Sequence, residues 1–258
     1  MALIDNKNQT MHQALVNALS TSDKIDIQVG YFYFSGFELL ATHFKDKQIR
    51  ILVGKQIDPK AVPNIIQMQQ RTGKPVDLER YQSWDPYSSR TEQKTKYFEG
   101  FSKLFNESEV FDSPESQHAY KIFEQKILDG TLQIKLTNTD EHGKMYLVHN
   151  SKEFNQGGDF PGTRFLGSSN LTYNGLIDQG ELNDSSRDKQ VFIDGCTKFD
   201  SMWSESQNID IVTPENNEEF KEIVKNLWIN AIISPYHMYI RVLHELFGKD
   251  LTTDIESP

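Results

Sequence analysis

Apolar positions change period several times along this chain, and the changes delimit its elements. Met11, Leu15, Val16 and Leu19 recur at helical spacing, which predicts an amphipathic helix over 8 to 20. The next segment, Lys24 to Phe34 (KIDIQVGYFYF), alternates and then becomes almost wholly apolar and aromatic, as a strand covered on both faces does. Ser35-Gly36 opens a second helix from Phe37 to His43, and QIRILVG at 48 to 54 is a β-branched strand stopped by glycine. The order α, β, α, β predicts an α/β fold with a mixed, mainly parallel central sheet flanked by helices.

From Pro59 to about Leu128 the pattern is mostly helical, broken by SWDPYSS at 83 to 89. Strands are predicted at 131 to 137, 144 to 149 and 163 to 167, the last two flanking a Gly-rich turn at 157 to 162, and a further one at 190 to 193. Helices over 216 to 230 and 235 to 247 close the chain. Residues 1 to 249 read as one domain and 250 to 258 as a flexible tail, with no internal repeat.

Composition narrows the classes. The lone Cys196 excludes an internal disulfide framework, cannot hold zinc by itself, and reads as a small buried residue in a reducing, cytoplasmic setting. No apolar run approaches the ~20 residues that span a bilayer, and the N-terminus lacks a secretion signal, so no membrane partner is expected. The net charge of -10 argues against indiscriminate polyanion binding. A local basic surface remains available at 45 to 60, where Lys45, Lys47, Arg50, Lys55 and Lys60 face Asp46 and Asp58; the same segment also reads as an ordinary solvated face.

Candidate chemistry concentrates between 141 and 183. His142 and Lys144 stand two apart at the start of a predicted strand, so alternation sends both to one face, where an imidazole and an ammonium can address one phosphate. Downstream, the strand TRFLG delivers Gly167, Ser168, Ser169 and Asn170: a close backbone approach, two hydroxyls and an amide, which suit an oxyanion and equally suit a turn and helix cap. Arg164, on the same strand, reads either as a phosphate contact or as half of a salt bridge. Tyr81, Trp84 and Tyr87 suit base stacking or burial.

HxK, then GSxN, then an acidic residue resembles the signature of the phospholipase D superfamily; here these are His142, Lys144, Gly167, Ser168, Asn170 and Glu181. The resemblance implies that His142 is the nucleophile of a phosphohistidine intermediate. It further implies that Lys144, Ser168 and Asn170 bind phosphate, that Glu181 orients the histidine, and that no metal or other cofactor is required. Three departures stand out. His149 occupies the place of the motif's aspartate and reads as a packed or surface residue, Gln179 stands where many nuclease members carry asparagine, and the motif occurs once. The only other HxK, His43-Phe44-Lys45, lies in a predicted helix with no GSxN segment soon after it.

Since members of the family use two HxK histidines, one attacking and one protonating the leaving oxygen, a single copy implies a homodimer with a shared site. The compact single-motif form is similar to bacterial endonucleases, including metal-independent restriction enzymes. YFYFSGFELL and SPYHMYIRVLHELFG are similar to N-terminal nuclease domains of bacterial helicases, which implies a helicase or ATPase module as partner. No GxxxxGK[ST] occurs. The expected function is DNA endonuclease; a lipid-type phosphodiesterase and a silent DNA-binding scaffold are the alternatives.

Overall fold

The computed structural model describes residues 2–30, 32–54, 56–57, 82–83, 89–107, 113–137, 143–178, 180–213, 218 and 220–222. Its first helix, α1 (Met11–Leu19), starts at a reciprocal capping box: Gln13 N donates to Thr10 Oγ1 at 3.1 Å, and Thr10 N to Gln13 Oε1 at 3.2 Å. It buries Met11, Leu15 and Leu19 of the predicted apolar stripe together with Ala14 and Ala18, while Val16 is only partly buried. Strand β1 (Ala2–Ile4) precedes it; β2 (Ser22–Val29), α2 (Phe34–Phe44) and β3 (Gln48–Val53) follow. A two-stranded ribbon pairs β4 (Gln56–Ile57) with β5 (Gln82–Ser83).

Two helices fall in the region expected to be helical, α3 (Arg90–Glu107) and α4 (Pro114–Leu128). The latter begins with Pro at its first turn behind the cap Ser113. Strands β6 (Leu132–Leu136), β7 (Lys144–Asn150), β8 (Gly162–Gly167), β9 (Asn183–Ser186) and β10 (Ile209–Val212) complete the sheet, with helix α5 (Lys189–Trp203) between β9 and β10.

The eight strands are ordered β1-β9-β8-β7-β2-β3-β6-β10. Only β2–β3 and β3–β6 run parallel; every other neighbouring pair in this sheet is antiparallel. The sheet is therefore mixed and helix-flanked as expected, but mostly antiparallel rather than mainly parallel. The helix between β2 and β3 enforces one parallel crossover, whereas β7 and β8 are joined by a turn without a crossover helix and so return antiparallel.

The 190 to 193 segment is helical, not a strand. Asp188 caps it, accepting from Val191 N at 2.9 Å, and Phe192, Gly195, Phe199, Met202 and Trp203 recur at helical spacing along its buried face.

Side chains on opposite sheet faces join different cores. Ile25, Ile27, Val29, Tyr146, Val148 and Phe165 pack into the larger cluster with α1, α2 and α4. Leu52, Met145 and Leu147 pack beneath α5 against Phe192, Phe199, Met202 and Trp203, with the half-buried Cys196 at the edge. Among the described residues no helix is long and apolar enough to cross a membrane. The expected helix at 235 to 247, nearly all of that at 216 to 230, and the tail at 250 to 258 lie outside the described residues.

Candidate active site

Three chain segments converge where β2 ends. Lys144 opens β7 opposite Gly167, the last residue of β8, and β7 lies beside β2. Lys144 is only 8% exposed and Asn170 only 2%. Both meet at Gly30, just past β2: a Cβ placed there would lie 3.2 Å from Asn170 Oδ1 and 3.7 Å from Lys144 Cε and Nζ. The backbone N–H of Gly30 donates to Asn170 Oδ1 at 3.0 Å. That bond assigns Oδ1 as the acceptor end of the amide, so Nδ2 is the end able to donate to an oxyanion.

The rest of the GSSN segment braces this pair. Ser168 Oγ accepts from Leu182 N at 3.0 Å, and Ser169 Oγ accepts from Asn183 Nδ2 at 2.8 Å, while Ser169 N donates to Asn183 Oδ1 at 3.2 Å. Gly167 is needed for the close approach of β9, since a Cβ there would come 2.3 Å from Leu182 O. Ser168 is exposed and Ser169 fully buried, and the Ser168 hydroxyl also donates to Leu182 O at 3.4 Å. Tyr146, on the Lys144 face of β7, donates to Ser169 O at 2.9 Å. Burial pushes its phenol well above the ordinary range, and the neighbouring Glu181 carboxylate adds to the shift. Glu181 is partly exposed, next to Leu182 and close to Tyr146.

Helix α2 supports the segment from the other side. Tyr33 N donates to Leu171 O at 3.2 Å, Phe32 bridges Leu171, and a Cβ on Gly36 would come 2.3 Å from Leu171 C and O. The Ser35-Gly36 pair thus marks a backbone-on-backbone contact directly behind Asn170.

Other expected residues lie elsewhere. Arg164 sits on the opposite sheet face, beneath α5 near Gly195, with Nη2 3.9 Å from Asp184 Oδ2. His43 is in the last turn of α2. His142, Gln179, Tyr81, Trp84 and Tyr87 lie outside the described residues, which resume after His142 at Gly143.

His149 is committed to a polar network under α5. Its Nε2 lies 2.7 Å from Oδ2 of Asp26, whose carboxylate, 1% exposed, also receives Arg50 Nε at 2.6 Å and Arg50 Nη2 at 2.9 Å, with Lys24 Nζ at 3.1 Å. Burial alone would raise the Asp26 pKa; the hydrogen bonds from Arg50 and His149 outweigh it and hold the carboxyl well below the usual range. Arg50 reaches Asp200 at 2.7 Å as well, and Lys47 donates to Ser22 O at 2.8 Å. Two cations of the 45 to 60 segment are therefore engaged within the chain.

Gly30, Gly36, Tyr146, Asn183 and Asp26 escaped the sequence reading. Asp26 left a signal, a carboxylate within the apolar run of a strand fit for burial, which demands a cationic partner. The glycines left only their position at a strand end and a helix start.

The family described as "Cardiolipin synthase, PLD-like domain" matches residues 15–203. No curated protein matches. Among solved structures, the chain is similar to a phospholipase D family member, Nuc, from Salmonella typhimurium, with 10% identity and a TM-score of 0.42, covering 81% of this chain and 95% of that one. It is similar to phosphatidylserine synthase from Haemophilus influenzae Rd KW20, with 14% identity and a TM-score of 0.45, covering 96% of this chain and 45% of that one. It is also similar to polyphosphate kinase from Porphyromonas gingivalis, with 10% identity and a TM-score of 0.41, covering 91% of this chain and 29% of that one. At these identities the family rests on the sequence match.

Proposed function

Because this chain belongs to the phospholipase D-like family, whose general chemistry is phosphodiester hydrolysis, we propose that it is a metal-independent DNA endonuclease acting through His142. The observation that carries the reading is the convergence of Lys144 and Asn170 on Gly30, a cation and an amide held together at one strand end.

A phosphodiester seated there presents its non-bridging oxygens to the Lys144 ammonium and the Asn170 amide, which stabilise the charge that builds as the phosphorus is attacked. A ring nitrogen of His142 forms the N–P bond while the P–O bond to the first leaving group breaks, and that oxygen takes up a proton. Water then cleaves the N–P bond and restores the imidazole. Glu181 fixes the tautomer of His142, and Ser168 adds a hydroxyl at the outer rim. The proton for the leaving oxygen comes from His142 of a second copy of the chain, so the active species is a homodimer. DNA is the substrate, and a helicase or ATPase module is the partner that would feed it.

Hydrolysis of plasmid DNA and of bis(p-nitrophenyl) phosphate in EDTA, by wild type and His142→Ala, tests the reading. Cleavage that survives chelation and disappears with His142→Ala supports it. Cleavage abolished by EDTA, or retained by His142→Ala, contradicts the mechanism; turnover of a lipid diester but not DNA contradicts the substrate.

A further inference from the structure

The residue that carries the site amide is backed by a turn a few residues later, which the N-terminus, far away in sequence, ties down. After Asn170 the chain enters a π-helical turn, Asn174–Asp178, whose Gly175 lies against the Asn170 backbone. A Cβ added at Gly175 would come 2.5 Å from Asn170 O, 2.9 Å from its N and 3.2 Å from its C. Only a residue without a side chain permits that approach. Single π-helical turns are rare and frequently lie at functional sites.

The turn is held from the N-terminus. Asn6 Nδ2 donates to Gly175 O at 3.1 Å, while Asn6 Oδ1 accepts from Met11 N at 2.7 Å. Asn6 has φ 56, the only positive φ outside glycine among the described residues, and asparagine tolerates it better than most side chains. Its conformation is kept by a tight turn in which Asn6 N donates to Gln9 O at 3.1 Å and Asp5 Oδ1 accepts from Lys7 N at 3.0 Å and Asn8 N at 2.9 Å. One amide therefore ties the start of α1 to the turn that backs Asn170.

We propose that Gly175 and Asn6 are positioning residues for Asn170: Gly175 sets where its backbone sits, and Asn6 holds the π-helical turn against it. This rests on Asn170 binding a phosphoryl oxygen, as assigned above. With Asn170 2% exposed and its amide oxygen bonded to Gly30, a push on its backbone has nowhere to dissipate except through the angle of the amide. A displacement of about 1 Å at a positioned group is enough to lose roughly a hundredfold in rate.

Two variants separate positioning from folding. Gly175→Ala forces the contact apart. Asn6→Asp keeps the acceptor for Met11 N but replaces the donor to Gly175 O by a carboxylate oxygen. Rates on bis(p-nitrophenyl) phosphate and competitive inhibition by inorganic phosphate are measured for wild type, both variants, Asn170→Ala and the double variants. The expected result is a loss of roughly a hundredfold for Gly175→Ala and about tenfold for Asn6→Asp, with weaker phosphate inhibition. In the Asn170→Ala background Asn6→Asp is expected to have no further effect, the signature of two residues acting through one group. Losses that multiply in the double variant, or a lowered melting temperature with unchanged rate and phosphate affinity, overturn the proposal. Should Gly175→Ala fail to fold, Asn6→Asp decides alone. If wild type binds phosphate without hydrolysing the diester, the functional reading fails while phosphate affinity in Asn6→Asp, by calorimetry, still decides the positioning. Wild type that neither binds nor hydrolyses overturns both.

Discussion

The backbone N–H of Gly30 donates to Oδ1 of Asn170 at 3.0 Å, across 140 residues of chain. Under the proposed function this bond leaves the Nδ2 end of the amide to meet an anion, which makes Asn170→Asp an informative substitution. The carboxylate keeps an acceptor for Gly30 but loses the donor and sets a negative charge where a phosphoryl oxygen belongs. We expect kcat on bis(p-nitrophenyl) phosphate to fall by about 10²–10³, the usual effect of losing one oxyanion donor, with cooperative melting retained.

Lys144 is expected to resist conservative exchange. Its side chain is 8% exposed and its ammonium sits against the space that Gly30 leaves open. Lys144→Met removes the charge, and Lys144→Arg introduces a wider, planar head that does not fit. Both are expected to lower kcat/KM by roughly a hundredfold or more, with Arg giving no rescue. Full activity in Lys144→Arg would show that charge, not placement, is what matters.

Asp26 makes stability depend on pH. Its carboxyl is held below the usual range in the folded protein, so folding is favoured above the unfolded value of about 3.9, and that contribution is lost as pH falls through the lower folded value. Asp26→Asn removes the charge that Arg50, Lys24 and His149 share while Arg50 keeps Asp200, and is expected to cost about 1–3 kcal/mol at neutral pH. Melting temperatures of the two proteins are expected to be far apart at pH 7 and to converge as pH falls below about 4. A constant difference across that range would contradict the assignment.

Gly36→Ala tests the support under the GSSN segment. The added methyl would come 2.3 Å from Leu171 C and O, backbone atoms one residue beyond Asn170. We expect a loss of about 1–3 kcal/mol in urea unfolding, typical of overpacking, together with a fall in activity.

Much of the architecture could be read from local pattern. The capping box at Thr10 and Gln13, the alternation of Ile25, Ile27 and Val29, and the β-branched run of β3 each specify their element within a few residues. Sheet direction was less legible because it depends on connections: one helical crossover suggested a mainly parallel sheet, and the antiparallel return of β8, β9 and β1 carries no comparable mark. The four-residue β9 and β10 are too short to show a period, and QVFI has the composition of a strand, although the Asp188 cap and the helical spacing of Phe192, Phe199 and Met202 make it helical. Within the site, Lys144 and Asn170 were visible as chemistry, and the structure brings them together. Gly30, Gly36 and Gly175 were not, because a glycine's role lies in what approaches it, which only the fold supplies.

If Lys144 and Asn170 hold an oxyanion together, a crystal structure with tungstate, a heavy mimic of phosphate, will show an anomalous peak with oxygens in hydrogen-bond reach of Lys144 Nζ and Asn170 Nδ2, lost in Asn170→Asp. Tungstate bound only elsewhere, or bound there unchanged in Asn170→Asp, would contradict it.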